Sequence, residues 1–285
     1  MQTNGACAPL VTYQRPEHIS ELVEICAGGN ARVVAGGTDF YPALPQGQTP
    51  KDIVDISRVS GLRGITRSDE GFRIGATTTW SDIVKADLPT AFDALKLAAI
   101  EVGSVQIQNA GTIAGNICNA SPAADGVPPL LCLDAHVELQ SKNGLRRIPL
   151  SSFIKGVRQT DLQAGEIVTG ILVPSPQEGA GSAFSKLGSR RYLVISICMT
   201  AVQVRLDRSG RIDQIAIAVG ACSPVAMRLS ALEASLVGQR VEDVSIPPSA
   251  LVDLNPIDDV RGSGAFRLEA VKTQILRTLQ MAAKR

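Results

Sequence analysis

The chain has 285 residues, of which 45% are hydrophobic, 19% are charged and only 4% are aromatic. These proportions are typical of a well-packed globular protein of one or two domains, with a core built mostly from Val, Ile, Leu and Ala. The net charge is +1 and no long basic run occurs, which argues against nucleic acid and anionic membranes as partners. No apolar segment reaches the roughly 18 residues of a membrane helix, so we expect no membrane span.

The first half of the chain alternates short strand patterns with helical ones. Residues 16–27 predict a helix, because Pro16 suits a first helical position and apolar side chains recur on one face before a glycine pair. The stretch RVVAGGTDF predicts a buried strand that runs into a glycine turn. Two more strands are predicted at 52–57 and 71–79, and the helical pattern at 80–103 is interrupted by a proline.

A hairpin and a domain boundary follow. Residues 135–150 contain two strand-like runs around Asn143-Gly144, a pair that predicts a type I′ turn. Residues 166–173 predict another strand. The Pro-, Gly- and Ser-rich segment 174–182 then predicts a boundary between two domains.

The last third of the chain changes character. Two strands are predicted around Asp207–Gly210, followed by helices at 230–238 and 264–285. Strands followed by helices indicate an α+β domain of about 100 residues.

The six cysteines are scattered along the chain, and none of them forms a C-x-x-C pair. Such cysteines are typical of buried or partly buried free thiols in a reducing compartment, so we expect a cytoplasmic protein. A metal or iron–sulfur site would need clustered ligands, and the sequence shows none, so we expect no metal site in this chain.

The turn Ala35–Asp39 is the first candidate binding segment. A strand delivers two glycines, whose backbone N–H groups can approach a ligand closely and form an anion-binding nest. The pattern is neither a dinucleotide fingerprint nor a P-loop. An ordinary glycine pair at the end of a strand remains the alternative.

The segment GTIAGNICNASPAAD, residues 111–125, is the second candidate. Its hydroxyl, glycine and amide groups suggest a second loop that faces the first across a phosphate-bearing ligand, with Ile113 and Ile117 turned toward the core. Asp125 is placed to accept hydrogen bonds from ribose hydroxyls. The alternative is a core-crossing loop whose small residues only permit close packing.

The sequence shows no set of residues typical of a catalytic nucleophile and its base. Only two histidines occur, His18 in the first turn of the predicted helix and His136 in the hairpin, and we expect both to be structural. A serine–histidine–carboxylate triad is therefore hard to build, and a bound cofactor is expected to carry any reaction.

Four segments in the same order resemble the FAD-binding medium subunits of molybdenum hydroxylases, the family of the carbon monoxide dehydrogenase medium subunit and the xanthine dehydrogenase flavin domain. These segments are VVAGGTDF, IGATTTWSDI, SVQIQNAGTIAGNICNASPAADGVPPLLCLDAHVEL and EIVTGILVP. The resemblance covers roughly residues 5–285. It implies an α+β fold with a two-lobed FAD-binding domain of the vanillyl-alcohol oxidase and p-cresol methylhydroxylase type. A C-terminal α+β domain with a three-stranded antiparallel sheet would cover the flavin.

The resemblance also implies domain bounds and site residues. The FAD-binding domain would span 1–175, with lobes at 1–57 and 58–175, and the C-terminal domain 176–285. Residues 33–40 would wrap the pyrophosphate, 112–116 would form the opposing wall, and the C-terminal segment KLGSRRYLVISI would cover the flavin ring. The cofactor-binding residues are expected to be Val33, Val34, Ala35, Gly36, Gly37, Thr38, Asp39, Phe40, Thr112, Ala114, Gly115, Asn116, Asp125 (adenosine ribose), Val168 (adenine end), Lys186 and Tyr192 (isoalloxazine).

Two positions depart from the family pattern. Ala114 stands where the family usually has glycine, which is tolerable if the position needs no positive φ, and Gln108 stands where the family often has arginine. Both departures leave FAD binding expected and its affinity open.

The implied function is that of an electron-transfer subunit. Its FAD would take electrons from two [2Fe–2S] clusters of a small subunit and pass them to an external acceptor, while a large subunit carries a molybdopterin-type cofactor. The assembly is expected to be a dimer of heterotrimers. Two alternatives remain open: a scaffolding subunit without FAD, and a self-sufficient flavin oxidoreductase of the same superfold.

Overall fold

The computed structural model describes residues 12–45 and 52–285. Cys7 and the first residues of the predicted first lobe lie outside this range. The strands are β1 Thr12–Gln14, β2 Arg32–Val34, β3 Asp52–Asp55, β4 Ile65–Ser68, β5 Gly71–Gly75, β6 His136–Ser141, β7 Gly144–Pro149, β8 Ile154–Gly156, β9 Gln159–Thr160, β10 Ile167–Pro174, β11 Gly181–Leu187, β12 Cys198–Leu206, β13 Ile212–Gly220 and β14 Met227–Arg228. The α-helices are α1 Ile19–Cys26, α2 Trp80–Lys85, α3 Asp93–Glu101, α4 Val105–Ala110, α5 Ile113–Asn119, α6 Val127–Cys132, α7 Leu150–Phe153, α8 Ser230–Leu236 and α9 Gly264–Ala282.

The first sheet is small and parallel, with strand order β1-β3-β2. Helix α1 covers it with Leu22, Val23 and Cys26, which recur at helical spacing and are buried. The helix begins later than predicted, because His18 at its N-cap has extended backbone. Glycine ends it as predicted, since Gly29 has φ = +71°.

The second sheet is antiparallel, with strand order β4-β5-β10-β6-β7. Its inner face buries Ile74, Val137 and Ile171 completely against helices α2, α3, α5 and α6. The proline-interrupted pattern is confirmed, since α2 and α3 are separate helices on either side of Pro89. Helix α5 therefore packs on the inner face of this sheet.

The β6–β7 hairpin is confirmed, but the prediction for its turn is wrong. Ser141 pairs with Gly144, so Lys142 and Asn143 form the two-residue loop. Only Gly144 has positive φ, at +113°, whereas a type I′ turn centred on Asn143-Gly144 needs positive φ at both. Gly144 therefore lies after the two-residue loop, at the first position of β7.

The C-terminal sheet has the order β11-β12-β13-β14. Three strands were expected, and the fourth is the two-residue edge strand β14, which is too short to leave a periodic pattern. Alternate residues of the long strands face opposite ways: Ala201 and Ala218 pack against the core of the first domain, whereas Val202 and Ile217 pack against α8 and α9. The two domains therefore meet across one face of this sheet, to which Ala201 and Ala218 contribute small side chains and Phe184 and Met199 larger ones.

Within the described residues, none of the helices combines the length and the apolar character that a membrane crossing requires.

Candidate functional site

The segment Ala35–Phe40 leaves the carboxyl end of β2 as an irregular turn. Gly37 has φ = +71°, a left-handed conformation that glycine adopts without strain. Gly36 lies against the last residue of α4, because a Cβ atom on Gly36 would sit 1.8 Å from the carbonyl oxygen of Ala110. One glycine is therefore required by its conformation and the other by a close backbone approach.

Four consecutive N–H groups of this turn are available to a ligand. Within residues 12–45 and 52–285, the N–H groups of Gly36, Gly37, Thr38 and Asp39 find no protein acceptor. The chain pairs again just beyond them, where the N–H of Tyr41 donates to the carbonyl oxygen of Gly37 at 3.3 Å. Successive unpaired N–H groups form a concave site for an anion, so this turn suits a phosphate-bearing ligand.

The second candidate segment contains the helix α5 over Ile113–Asn119, nearly half of its length, so the expectation that the whole segment is a loop is wrong. Thr112 is the N-cap of α5, and its hydroxyl accepts a hydrogen bond from the N–H of Gly115 at 3.1 Å. Ile113 and Ile117 lie one turn apart and are fully buried, as predicted. The capping threonine and this apolar spacing stabilise the helix despite its glycine and asparagine.

The helical start of α5 changes what this wall presents. The N–H of Ile113 donates to the carbonyl oxygen of Thr78 at 3.0 Å, and that of Ala114 donates to Ala76 at 3.4 Å. The wall therefore offers the Thr112 hydroxyl and the Cβ-free surface of Gly115 rather than a row of free N–H groups. Ala114 lies inside the helix without positive φ, so its methyl group causes no strain.

Two clefts meet along this wall. The first, of about 380 Å³, lies between the glycine turn and α5 and is lined by all of residues 33–40 together with Thr112, Gly115 and Asn116. The second, of about 360 Å³, lies on the other side of Val33, Ala35 and Thr112 and is lined by Ala114 and Val168. The structure thus brings together thirteen of the predicted site residues, in two adjoining clefts that share a wall. These residues are Val33, Val34, Ala35, Gly36, Gly37, Thr38, Asp39, Phe40, Thr112, Ala114, Gly115, Asn116 and Val168.

Asn116 lines the first cleft, and its amide oxygen is an unsatisfied polar atom behind that lining. It is buried and has no hydrogen-bond partner within the described residues. It faces Gly126, where an added Cβ atom would lie 3.0 Å away from it. An unpaired buried acceptor costs about 1–3 kcal/mol, so its retention here points to a ligand that supplies the missing donor.

Asp125 and Lys186 lie outside the lining of both clefts. The Lys186 ammonium donates to one Asp125 oxygen at 2.7 Å, and the Ser196 hydroxyl donates to the other at 2.7 Å. Burial raises the pKa of Asp125 above its ordinary value, and the charge and hydrogen bond of Lys186 oppose that shift. The ribose contact of Asp125 and the flavin contact of Lys186 stay predictions.

Tyr192 lies on the loop between β11 and β12, and its side chain is 63% exposed. The Arg191 guanidinium lies 5.3 Å from its ring centroid and donates to its hydroxyl at 2.9 Å. Tyr192 therefore lies outside the protein core, and its stacking on a flavin ring stays a prediction.

Sequence reasoning missed several residues of the clefts. Trp80, the single tryptophan of the chain, and Ile107 line the first cleft, and Leu162 lines the second. Cys118 lines both and is exposed. No local pattern marks Trp80, Ile107 and Leu162, because they reach the clefts only through the packing of α2, α4 and the segment before β10. Cys118 lies on α5 within the second candidate segment, but a lone cysteine there gave no signal of its own.

The histidines lie away from both clefts. His18 is the N-cap of α1, and a ring nitrogen of His136 lies 3.1 Å from the carbonyl oxygen of Asp134. In the part of the chain that the structure describes, no group of three His, Cys, Asp or Glu side chains could hold a metal ion.

Comparisons with known proteins match two segments of the chain to two domain families. Residues 8–176 match the family described as the FAD binding domain in molybdopterin dehydrogenase, and residues 183–282 match the CO dehydrogenase flavoprotein C-terminal domain. The chain is 32% identical to the putative xanthine dehydrogenase FAD-binding subunit of Escherichia coli (strain K12), over 95% of each chain. It is 31% identical to the glyceraldehyde dehydrogenase medium chain of Sulfolobus acidocaldarius, over 96% of this chain and 99% of that one.

A solved structure agrees with these likenesses. Carbon monoxide dehydrogenase from Hydrogenophaga pseudoflava, in a form that lacks the Mo-pyranopterin moiety of the molybdenum cofactor, contains a chain that matches with a TM-score of 0.86 and 29% identity. The match covers 96% of this chain and 97% of that one. The predicted α+β fold, an FAD-binding domain followed by a C-terminal α+β domain, is confirmed.

Proposed function

The chain belongs to the family of FAD-binding domains of molybdopterin dehydrogenases, and on this premise we propose that it is the electron-transfer subunit of a heterotrimeric molybdenum hydroxylase. It takes electrons from two [2Fe–2S] clusters of a small subunit and delivers them to an external acceptor. A large subunit carries the molybdopterin-type cofactor, and the whole is a dimer of heterotrimers in the cytoplasm.

The observation that carries this proposal is the row of four N–H groups from Gly36 to Asp39, which have no acceptor among the described residues. A pyrophosphate needs many donors in a small volume, and backbone N–H groups supply them without a side chain in the way. The Thr112 hydroxyl lies on the facing wall and can donate as well, because its bond with Gly115 uses it only as an acceptor. The residues present therefore fit FAD.

The remaining proposed contacts follow the two clefts. Val168 and Ala114 give the second cleft an apolar lining that suits the adenine end. Asn116 accepts from a hydroxyl or N–H donor of the cofactor, which satisfies its buried oxygen. Asp125 keeps its proposed ribose contact, since a carboxylate can accept about four hydrogen bonds and two are in use.

The bound cofactor supplies the electron-accepting and electron-releasing group. The protein's own residues bind it, orient it and exclude water from it. Neither histidine of the chain lies in either cleft, and the proposed role requires no general acid or base. Lys186 and Tyr192, in the C-terminal domain, are proposed to act on the flavin ring.

The proposed domain division is 1–175 and 176–285, with lobes at 1–57 and 58–175. The gap between β10 and β11 supports the boundary, since β10 ends at Pro174 and β11 begins at Gly181. The change from the parallel to the antiparallel sheet between β3 and β4 supports the division into lobes.

A pair of threonine variants tests the cofactor site. Thr112→Val removes the hydroxyl from the cleft and the cap from α5. Thr79→Val removes a comparable cap from α2, and its side chain lines neither cleft, so every cleft-lining side chain is retained. Both should lose about 1 kcal/mol of stability, but only Thr112→Val should weaken FAD binding in a titration followed by flavin fluorescence. Equal FAD affinities for the two variants would contradict the site.

Isolation of the native complex tests the proposed role. Flavin absorbance in this chain, with molybdenum and iron–sulfur clusters in partner chains, is the expected result. A chain that shows no flavin spectrum and takes up no added FAD would be a scaffolding subunit instead. Substrate turnover by the isolated chain would indicate a self-sufficient flavin oxidoreductase.

A further inference from the structure

The loop of residues 188–197, between β11 and β12, is held at both ends by one carboxylate. Lys186 lies just before the loop and donates to Asp125 Oδ2 at 2.7 Å. Ser196 lies at its far end and donates to Asp125 Oδ1 at 2.7 Å. The two donors come from the C-terminal domain and the acceptor from the first domain, so this contact ties the base of the loop across the domain boundary.

Burial separates the base of the loop from its tip. Asp125 is 6% and Ser196 is 2% exposed, whereas Tyr192, Leu193 and Ile195 are each more than half exposed. Among the described residues, the tip takes its hydrogen bonds from within the loop, where the Arg190 guanidinium donates to the carbonyl oxygens of Tyr192 and Leu193. What fixes the tip relative to the first domain is therefore the buried base.

The base adjoins the first cleft on two sides. The Lys186 ammonium also donates to the carbonyl oxygen of Glu101 at 3.3 Å, and the next residue, Val102, lines that cleft. Asp125 precedes Gly126, whose Cβ position lies 3.0 Å from Asn116 Oδ1. A shift of Asp125 would therefore move both the base of the loop and the wall of the first cleft.

We propose that Ser196 is a positioning residue that acts through Asp125 to hold the loop, and with it Tyr192, against the end of the FAD cleft. The flavin part of this inference rests on the proposed function, whereas the holding of the loop does not. A held loop limits the access of water and small solutes to the flavin ring. Ser196 touches neither cleft and acts only through its hydrogen bond.

Limited trypsin digestion of the full chain measures the holding of the loop directly. Arg190 and Arg191 are exposed, but a protease binds an extended segment of several residues, so faster cleavage after them reports release of the base of the loop. Mass spectrometry identifies the new ends. Because a hydrogen bond to a charged group is strong, Ser196→Ala should speed this cleavage about tenfold or more in the FAD-free protein. Ser189→Ala, an exposed serine of the same loop, is the matched control and should cleave at the wild-type rate.

Two further variants keep the test decisive. Ser196→Thr retains the hydroxyl and should return the cleavage rate toward wild type. If Ser196→Ala does not fold, Ser196→Cys replaces it, since a thiol is a weak donor and should raise the rate less. A wild-type cleavage rate in Ser196→Ala, or in Ser196→Cys where the alanine variant does not fold, would overturn the proposal.

The flavin part has its own readout. In the FAD-loaded chain, iodide should quench flavin fluorescence more steeply in Ser196→Ala than in Ser189→Ala at equal FAD content. Equal quenching together with faster cleavage would show that the loop is held but does not shield the flavin, which overturns that part. If the chain binds no FAD, the proposed function fails while the cleavage assay still tests the holding of the loop.

Discussion

Substitution of Gly36 by alanine should separate the glycine turn from α4. The added Cβ atom would lie 1.8 Å from the carbonyl oxygen and 2.5 Å from the carbonyl carbon of Ala110, whereas ordinary contacts begin at 3.4 Å. Both neighbours are backbone, so one of the two segments must retreat by about 1.6 Å, and overpacking of this kind costs about 1–3 kcal/mol. The same movement takes an N–H group from hydrogen-bond distance to beyond 3.5 Å of a bound phosphate.

The expected loss of FAD affinity is large. A hydrogen bond to a charged group contributes about 1.5–3 kcal/mol, so loss of even one of the four N–H contacts raises Kd by at least about tenfold. Loss of two raises Kd by about a hundredfold or more. Titration with FAD, followed by flavin fluorescence, measures Kd, and urea unfolding of the FAD-free chain measures stability.

Gly28→Ala is the matched control for Gly36→Ala. It lies in the turn after α1, has no heavy atom within 4 Å of its Cβ position and does not have positive φ. It should leave both FAD affinity and stability near their wild-type values. The reasoning is refuted if Gly36→Ala binds FAD as tightly as Gly28→Ala does.

Three further substitutions probe other parts of the molecule. Asn116→Ala removes an unpaired buried oxygen, so it should raise the melting temperature of the FAD-free chain while weakening FAD binding; a lower melting temperature would show that the oxygen is paired. Burial pushes the pKa of Glu138 upward, but hydrogen bonds from Arg73 and Thr169 outweigh this and hold it below its ordinary 4.5. Its contribution is therefore present above about pH 4.5 and lost as pH falls through the folded-state pKa. Glu138→Gln should lower the free energy of unfolding, measured in urea, by about 1.5–3 kcal/mol at pH 7 and by much less at pH 3.5, and a pH-independent difference would contradict the assignment. Arg228→Met leaves the carboxylate of Glu233 buried without its cation, so it should lower the free energy of unfolding by about 3–5 kcal/mol. FAD affinity should be unchanged, and an unchanged urea midpoint would show that the ion pair contributes nothing to stability.

Local patterns determined most of the secondary structure. The long C-terminal helix is readable because Val271, Ile275 and Leu279 recur at helical spacing, and all three are fully buried. The strands on either side of the turn at 207–210 are readable because each is a nine-residue run rich in β-branched and other apolar residues, and the two flank a turn segment that ends in glycine. The glycine turn after β2 was also readable, since a strand that ends in two glycines indicates a close backbone approach.

Errors arose where two local signals competed. Residues 111–125 read as a loop because glycine and asparagine disfavour a helix, yet the Thr112 cap and the buried pair of isoleucines outweigh that preference. Asn143-Gly144 read as a type I′ turn, yet the register of β6 and β7 moved the loop back by one residue. Cross-strand register depends on the facing strand, which a dipeptide does not encode.

The sequence by itself determined the residue types of the site: a glycine pair at the end of a strand, a hydroxyl-bearing second segment and no apparent catalytic triad. Only the tertiary structure decided how they meet. Gly36 approaches Ala110 across 74 positions of the chain, and Asp125 binds Lys186 and Ser196, 61 and 71 positions away. Contacts at such separations follow from the packing of whole sheets and helices. A carboxylate such as Asp125 can bind either a ribose hydroxyl or a lysine ammonium, so its residue type alone does not decide between them.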